Sequence, residues 1–513
     1  MATYRYNRAE VYESELQNNA SSWKPLMRQL FVCSGVYSIF FVLGLCFGAP
    51  TVFVPQIRKE INSTDALSDD MVSWLFISFP ASVHGYSALP WVLIIPVVSQ
   101  FVGRKIPFLI VCINTIAGFI VFYCSTNPVQ LLISEIMQGM LLASNITLLV
   151  VIVTEYTSPQ YRGVSLTIKS TVFFWGVWVA NVTGTFLHWK NIGIIALLCS
   201  FYSLTGVFWP ESPSWLAMKG RFDECAASHR WLKGYDKKSE DELENLINSQ
   251  KEYIRLCGER KERSWTHKLN SIIETMISKA FYQPLLLCIG VMSLYHFSGK
   301  FVCGMYAVDL IKQISDSEFT AYLGMLIMDG VTIIGMLVGC FLCKYLNRRS
   351  LLVGSSIIGI FFLFTISLYL YLISLGLFVE NHIVSIFLLT SFSVTISCGL
   401  ITLPECLFGE LIFLRYKSPA LLLLTLYSEL LMASILKVSP LIFKAFTLQG
   451  TFLFYGLSAS VIVLFLYKYL PETKNKTLQE IETCFEDPHK SDQASKMLID
   501  GHENIDSRRR DES

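Results

Sequence analysis

The sequence predicts an all-α membrane protein of twelve transmembrane helices in two pseudo-symmetric six-helix bundles, and three observations carry that expectation. The chain of 513 residues is 53% hydrophobic and 16% charged with a positive mean hydropathy, which is more apolar surface than one soluble core can bury. Its apolar residues fall in long continuous runs, many of about 20 residues, the length that crosses a bilayer core. A single polar stretch, Glu211 to Lys279, divides those runs into two blocks with room for six spans each.

Residues 1–29 read as a polar cytosolic tail. Spans are expected at about 30–53, 72–99, 106–124, 129–153, 164–187 and 192–209, then at about 283–310, 319–343, 351–373, 383–412, 419–443 and 450–470. The first run begins near Leu30, is as long as a span and lacks a small-residue cleavage site, so it reads as the first helix. Glycine and proline inside continuous apolar runs favour helices, because a barrel strand would alternate between lipid and lumen. The units that follow are a 30–209 bundle, a 210–282 cytosolic linker with short helices, a 283–470 bundle and a 471–513 cytosolic tail.

Orientation follows from basic residues in the connections. Arg104-Lys105, Arg162, the linker, Arg348-Arg349, Arg415 with Lys417, and Arg508-Arg509-Arg510 share one side if the spans alternate. That side is read as the cytosol, with both termini there and the plasma membrane as the location. The Gln56 to Asp70 connection then faces outward and carries Asn62-Ser63-Thr64, a glycan acceptor pattern, whereas the triplets at Asn145 and Asn181 fall inside spans. A net charge of +1 without a basic polar domain gives no electrostatic case for nucleic acid. The 14 cysteines are scattered without CxxC or metal spacing and read as small buried hydrophobes. No cofactor or metal is expected, and the chain reads as a monomer whose partners are a small-molecule solute and the lipid bilayer.

The two blocks echo each other. Gly103-Arg104-Lys105 follows the second span and Asn347-Arg348-Arg349 follows the eighth. Glu155 with Arg162 follows the fourth span, and Glu410 with Arg415 follows the tenth. Pro210-Glu211-Ser212-Pro213 closes the first block as Pro471-Glu472-Thr473-Lys474 closes the second. A six-plus-six repeat with charges at equivalent corners is the plan of a rocking carrier with a site near mid-membrane.

On these motifs, together with Ser214-Trp215-Leu216 and Thr477-Leu478-Gln479-Glu480-Ile481, the chain resembles the sugar porters of the major facilitator superfamily over about residues 30 to 482. Among them it is most similar to insect facilitated trehalose transporter-like proteins. An acidic stretch from Asp65 leading into Ser73-Trp74 resembles the entry to their second helix. The resemblance implies a solute carrier for trehalose- or hexose-class sugars working by alternating access. It also implies gating charges at Arg104, Glu155, Arg162, Glu211, Arg348, Glu410 and Arg415, with Glu472 beside them, that pair between and within the halves. The alternative for those residues is plain positive-inside anchoring.

At the central site the chain departs from the family pattern. Where the resemblance implies sugar-binding amides, the sequence has Lys169-Ser170 in the fifth span and Tyr295-His296-Phe297-Ser298-Gly299 in the seventh, with Phe301 shortly after. In the tenth span Thr402, Pro404 and Glu405 stand in the family's Pro-rich segment, and Leu430 takes the place of a tryptophan in the eleventh. The expected substrate-binding set is Lys169, Ser170, Tyr295, His296, Phe301, Thr402 and Glu405. Lys300, Glu135, Asp329 and Glu429 also fall in or near spans, where an ionised group needs a partner or a wet cavity. His296 and Lys300, four apart, are expected on one helix face. Lys169 and Glu405 either line a charged cavity or neutralise each other, and His84 reads as a packing residue.

The acid of proton-driven relatives is absent from the first span, and Glu135 stands where their fourth-span arginine would be. Facilitated diffusion is therefore the expected mode, with Glu135 as an unconventional proton site the other reading. No cluster of nucleophile and base supports an enzyme. A transporter-like sensor that binds solute without moving it, or a non-sugar carrier, is the alternative function.

Overall fold

The computed structural model describes residues 23–62, 79–259, 276–305, 307–308, 311, 318–379, 381–412, 417–474 and 485. Every regular element among the described residues is a helix. In the first half the spans are Lys24–Asn62, Phe79–Val102, Lys105–Cys124, Pro128–Ser144 continuing to Val150–Tyr156, Pro159–Phe186, and Asn191–Ser203 closing in a 3₁₀ turn. The second half has Lys279–Phe297 followed by Lys300–Met305, then Glu318–Tyr345, Arg348–Ser374, and His382–Ile396 continuing to Pro404–Leu411. The last helical stretch, Lys417–Tyr469, has 53 residues, about 80 Å at the usual rise and so far longer than one bilayer crossing. Thr447 breaks it, with φ 58 and ψ 179, and the two pieces are the eleventh and twelfth spans.

In lipid, helices associate where small residues let backbones approach. Gly44 and Gly176 do this for the first and fifth spans: a Cβ on Gly44 would lie 2.0 Å from the Phe173 carbonyl oxygen. Gly339 does the same for the eighth and tenth, where an added Cβ would lie 2.1 Å from the Cys398 carbonyl oxygen.

Three features differ from uninterrupted spans. The fourth and tenth spans each contain a π-helical turn, Asn145–Leu149 and Ser397–Ile401, at corresponding places in the two halves. Such turns widen a helix locally and collect at functional sites. The seventh span breaks at Ser298-Gly299, where Gly299 takes φ +76, a value that favours glycine. The break separates His296 from Lys300, so the expectation that they share one helix face fails: they end on different helical pieces and line different cavities.

The linker contains helices Pro213–Met218, Phe222–Lys233 and Lys237–Glu259 around a small core of Trp215, Leu216, Ala217, Cys225 and Leu243. It docks on the first half: Arg28 Nη1 donates to the Trp231 carbonyl at 2.9 Å and Gln29 Nε2 to the Leu232 carbonyl at 3.2 Å. Burial pushes the Cys225 thiol up to about 11 and is the first cause holding the His229 imidazole down at about 4, with the nearby Lys233 charge adding to it.

Candidate functional site

At the linker-side corner of the first half, Arg104 forms a fork with Glu155: Nε donates to Oε2 and Nη2 to Oε1, both at 3.2 Å. Its Nη1 donates to the Ser99 carbonyl at 3.1 Å and to the Ser99 hydroxyl at 2.7 Å. Glu211 accepts the backbone N–H of Arg104 at 2.8 Å, filling a donor left open at the start of the third span. Gly103 permits that approach, since it takes φ +111 and a Cβ there would meet Glu211 Oε2 at 2.2 Å. Ser212 completes the knot by donating to Glu155 at 2.6 Å.

The second half repeats this arrangement with the same charged residue types and Thr473 in the place of Ser212. Arg348 donates to Glu410 through Nε at 3.3 Å and Nη2 at 3.2 Å, here to one carboxylate oxygen. Glu472 accepts the backbone N–H groups of Arg348 at 3.0 Å and Arg349 at 3.1 Å, and Thr473 donates to Glu410 at 2.6 Å. Asn347 takes an ordinary extended conformation where the first half has Gly103. Of the expected gating charges, five sit in these two knots. Arg162 is exposed at the start of the fifth span, and Arg415 lies outside the described residues. Each pair stays inside its own half, and among the described residues no ion pair joins the halves at this end.

Between the halves lies a cavity of about 110 Å³. Lys169, Ser170, Tyr295, His296, Phe301 and Glu405 line it, as do Phe40, Phe173, Asn145, Ser428 and Glu429. Lys169 is ten residues into the helix that starts at Pro159, a depth of about 15 Å and so near mid-membrane. Its ammonium bonds Glu405 across the halves and lies 5.0 Å from the centre of the Phe40 ring. The pair lines the cavity, and its two charges meet there. His296 Nε2 is 3.0 Å from the Ser428 hydroxyl. Thr402 is not among the lining residues; its hydroxyl donates to the Ser397 carbonyl at 2.9 Å and secures the π turn.

A smaller cavity of about 50 Å³ adjoins Phe47 and Phe301 and is lined by Lys300 and Asp329. Lys300 donates to Thr332 Oγ1 at 2.7 Å and to Ser393, while Asp329 accepts from Asn181 Nδ2 at 2.6 Å across the halves. Trp178 Nε1 donates to the Leu326 carbonyl at 3.2 Å, and the Tyr86 and Ser434 hydroxyls are 3.3 Å apart. These inter-half bonds lie toward the end opposite the linker. His84 is buried and packs edge-on against Phe47, and its Nδ1 is 3.7 Å from the buried Glu135 Oε2.

Sequence reading missed Glu429 as a cavity residue. The position matched to the family's tryptophan fell on Leu430, which is 49% exposed on the outside of its helix, while its neighbour Glu429 is 5% exposed and faces the cavity. The acid inside an apolar run was the available signal. Asn62 is the last residue of the first helix, and Ser63 and Thr64 lie outside the described residues.

Comparison with known proteins gives a consistent picture. Residues 92–485 match the family described as "Sugar (and other) transporter". The facilitated trehalose transporter Tret1 of Apis mellifera ligustica is 25% identical over 464 residues, covering 90% of this chain and 88% of that protein. Tret1 of Bombyx mori is 24% identical over 471 residues, covering 90% and 86%. Among solved structures, the proton:xylose symporter XylE bound to 6-bromo-6-deoxy-D-glucose superposes with TM-score 0.69 at 16% identity, covering 88% of this chain and 99% of that one. The inward-open xylose transporter XylE from E. coli gives 0.68 at 15% with the same coverage. Those structures share the fold. With the family match running through both halves and a cavity enclosed between them, this chain belongs to the sugar (and other) transporter family and is a multi-pass membrane solute carrier.

Proposed function

We propose that the chain moves a small polar solute of the sugar class, trehalose or a hexose, across the plasma membrane by alternating access and facilitated diffusion. The observation that carries this reading is the mid-membrane cavity whose walls come from both halves, with Lys169 and Glu405 meeting across it. The names of the honeybee and silkworm relatives support the sugar class and the facilitated mode. Substrate contacts are assigned to Lys169, Ser170, Tyr295, His296, Phe301 and Glu405, with Thr402 holding the π turn beside them.

The gating role goes to Arg104, Glu155, Arg162, Glu211, Arg348, Glu410 and Arg415. Each knot ties several helix ends of one half into a unit, so a half can turn as one body while bonds between halves open and form. A contact made in one state and lost in the other shifts the balance between them by its differential energy. The reading also places both termini and the linker in the cytosol, a glycan on Asn62 outside, and a monomer in the membrane. The bundles are taken as 30–209 and 283–470, with the tail, linker and C-terminal segment between and around them. A glycosidase-induced mobility shift lost in Asn62→Gln tests the topology.

The deciding experiment is uptake by the full chain in proteoliposomes, with labelled trehalose and glucose. Saturable uptake that is unchanged by an imposed pH gradient is expected. Binding without flux makes the protein a sensor, and flux that follows the pH gradient makes it proton-coupled.

A further inference from the structure

Resting on the central cavity as the solute site, we infer that the preferred solute carries an ammonium group, and that Glu429 seats it. The charged and titratable side chains in the cavity wall are Lys169, Glu405, Glu429, Tyr295 and His296. Lys169 and Glu405 satisfy each other, and His296 is held by Ser428. Lys300 and Asp329 face the neighbouring cavity together. That leaves one carboxyl in excess. Glu429 is 5% exposed, lines the cavity, and its Oε2 has no hydrogen-bond partner among the described residues.

A buried carboxyl without a donor is unfavourable until something supplies one. A neutral sugar offers hydroxyl donors alone, whereas an ammonium supplies donors together with a charge that pairs with the carboxylate. An anionic solute would bring acceptors where a donor is needed. The walls favour the same class, since Phe40, Phe173, Tyr295 and Phe301 border the space, and ring faces attract cations. Phe40 already takes the Lys169 ammonium over its face. The structure therefore assigns the cavity to a small amine-bearing solute, with a polar body suited to Ser170 and Asn145.

The test compares D-glucosamine with D-glucose, which share a ring and differ by an ammonium in place of one hydroxyl. The purified full chain is assayed for stabilisation in detergent and for uptake in proteoliposomes. Glucosamine is expected to act at a concentration about tenfold or more below glucose, the scale of one hydrogen bond to a charged group. Glu429→Gln is expected to lower that preference by a similar factor, and Glu429→Asp, which keeps the charge, to retain most of it. Equal affinity for the two sugars, or a preference unmoved by Glu429→Gln, overturns the inference. If Glu429→Gln does not fold, the wild-type preference and the Asp variant decide. Glucosamine bound without flux supports the inference and overturns the carrier reading; glucose transported without glucosamine binding does the reverse. Binding of neither overturns both.

Discussion

At the linker-side corners the two halves repeat each other in nearly every bond, while at the central cavity they share almost nothing. Arg104, Glu155, Glu211 and Ser212 have counterparts in Arg348, Glu410, Glu472 and Thr473, down to the backbone N–H groups that each glutamate accepts. In the cavity the first half supplies Lys169, Asn145 and phenylalanines, and the second supplies Glu405, Glu429, His296 and Tyr295. The difference has a mechanical reason. Both halves must hold together in the same way if they are to turn about one site, so the fastenings repeat. A solute has no twofold axis, so each half meets a different part of it.

The largest effect is expected where that asymmetry is sharpest. Glu405→Gln leaves Lys169, with its side chain 3% exposed, as an unpaired buried charge, at a cost of about 3–5 kcal/mol. Adding Lys169→Met removes the stranded charge and should restore much of the loss in thermal unfolding of the detergent-purified chain. A double variant as unstable as Glu405→Gln alone would show that the pair is not the coupled element described here.

The corners offer the next comparison. Arg104→Ala should destabilise by about 1.5–3 kcal/mol, the range for hydrogen bonds to charged groups, and Arg348→Ala by less. Arg104 and Glu155 have side chains 12% and 16% exposed, against 22% and 28% for Arg348 and Glu410, and the second fork reaches a single carboxylate oxygen. Equal losses in the same unfolding assay would mean that the small differences between the knots have no energetic weight.

Gly44→Ala places a methyl against the Phe173 carbonyl and should cost about 1–3 kcal/mol by overpacking the first and fifth spans. Gly163→Ala, with nothing within 4 Å of an added Cβ, is the matched control and should be close to silent. Comparable losses in the two variants would show that close backbone contact is not what sets the helix spacing.

The smallest effect concerns the brace that the linker gives the first knot. Ser228, on the linker helix that contains His229, donates to the Glu211 carbonyl at 2.6 Å, which ties that helix to the first knot. His229 titrates near 4 when folded and near 6.5 when unfolded. The unfolded state therefore binds a proton first as pH falls, and stability present above about 6.5 is lost progressively down to about 4. Hydrogen exchange in residues 222–233 should rise over that window, and His229→Leu should flatten the rise. An unchanged profile in the variant would point to another group.

Much of the fold was legible in one dimension because bilayer thickness imposes a length on every span, and that length is written in apolar runs. The breaks were not. Gly299 in the seventh span looks like any small residue in an apolar run, and only its backbone angle turns the chain there and parts His296 from Lys300. The corners were legible as repeated motifs, although which acid meets which base was not. Within the cavity, six of the seven expected residues do line the wall. Glu429 is the neighbour of Leu430, and one residue on a helix is a rotation of about 100°, which turns Glu429 to the cavity and Leu430 outward.

The sequence by itself determined the class, the order of the spans and the repeat, because each follows from local composition: apolar length, breaks in polarity, and charges at helix ends. The tertiary structure decided which charges meet. Lys169 with Glu405, His84 with Glu135 and the unpaired Glu429 are matters of rotation and depth between helices distant in the chain. Packing of small residues against neighbouring backbones sets that geometry, and the pattern of residue types along one helix does not contain it.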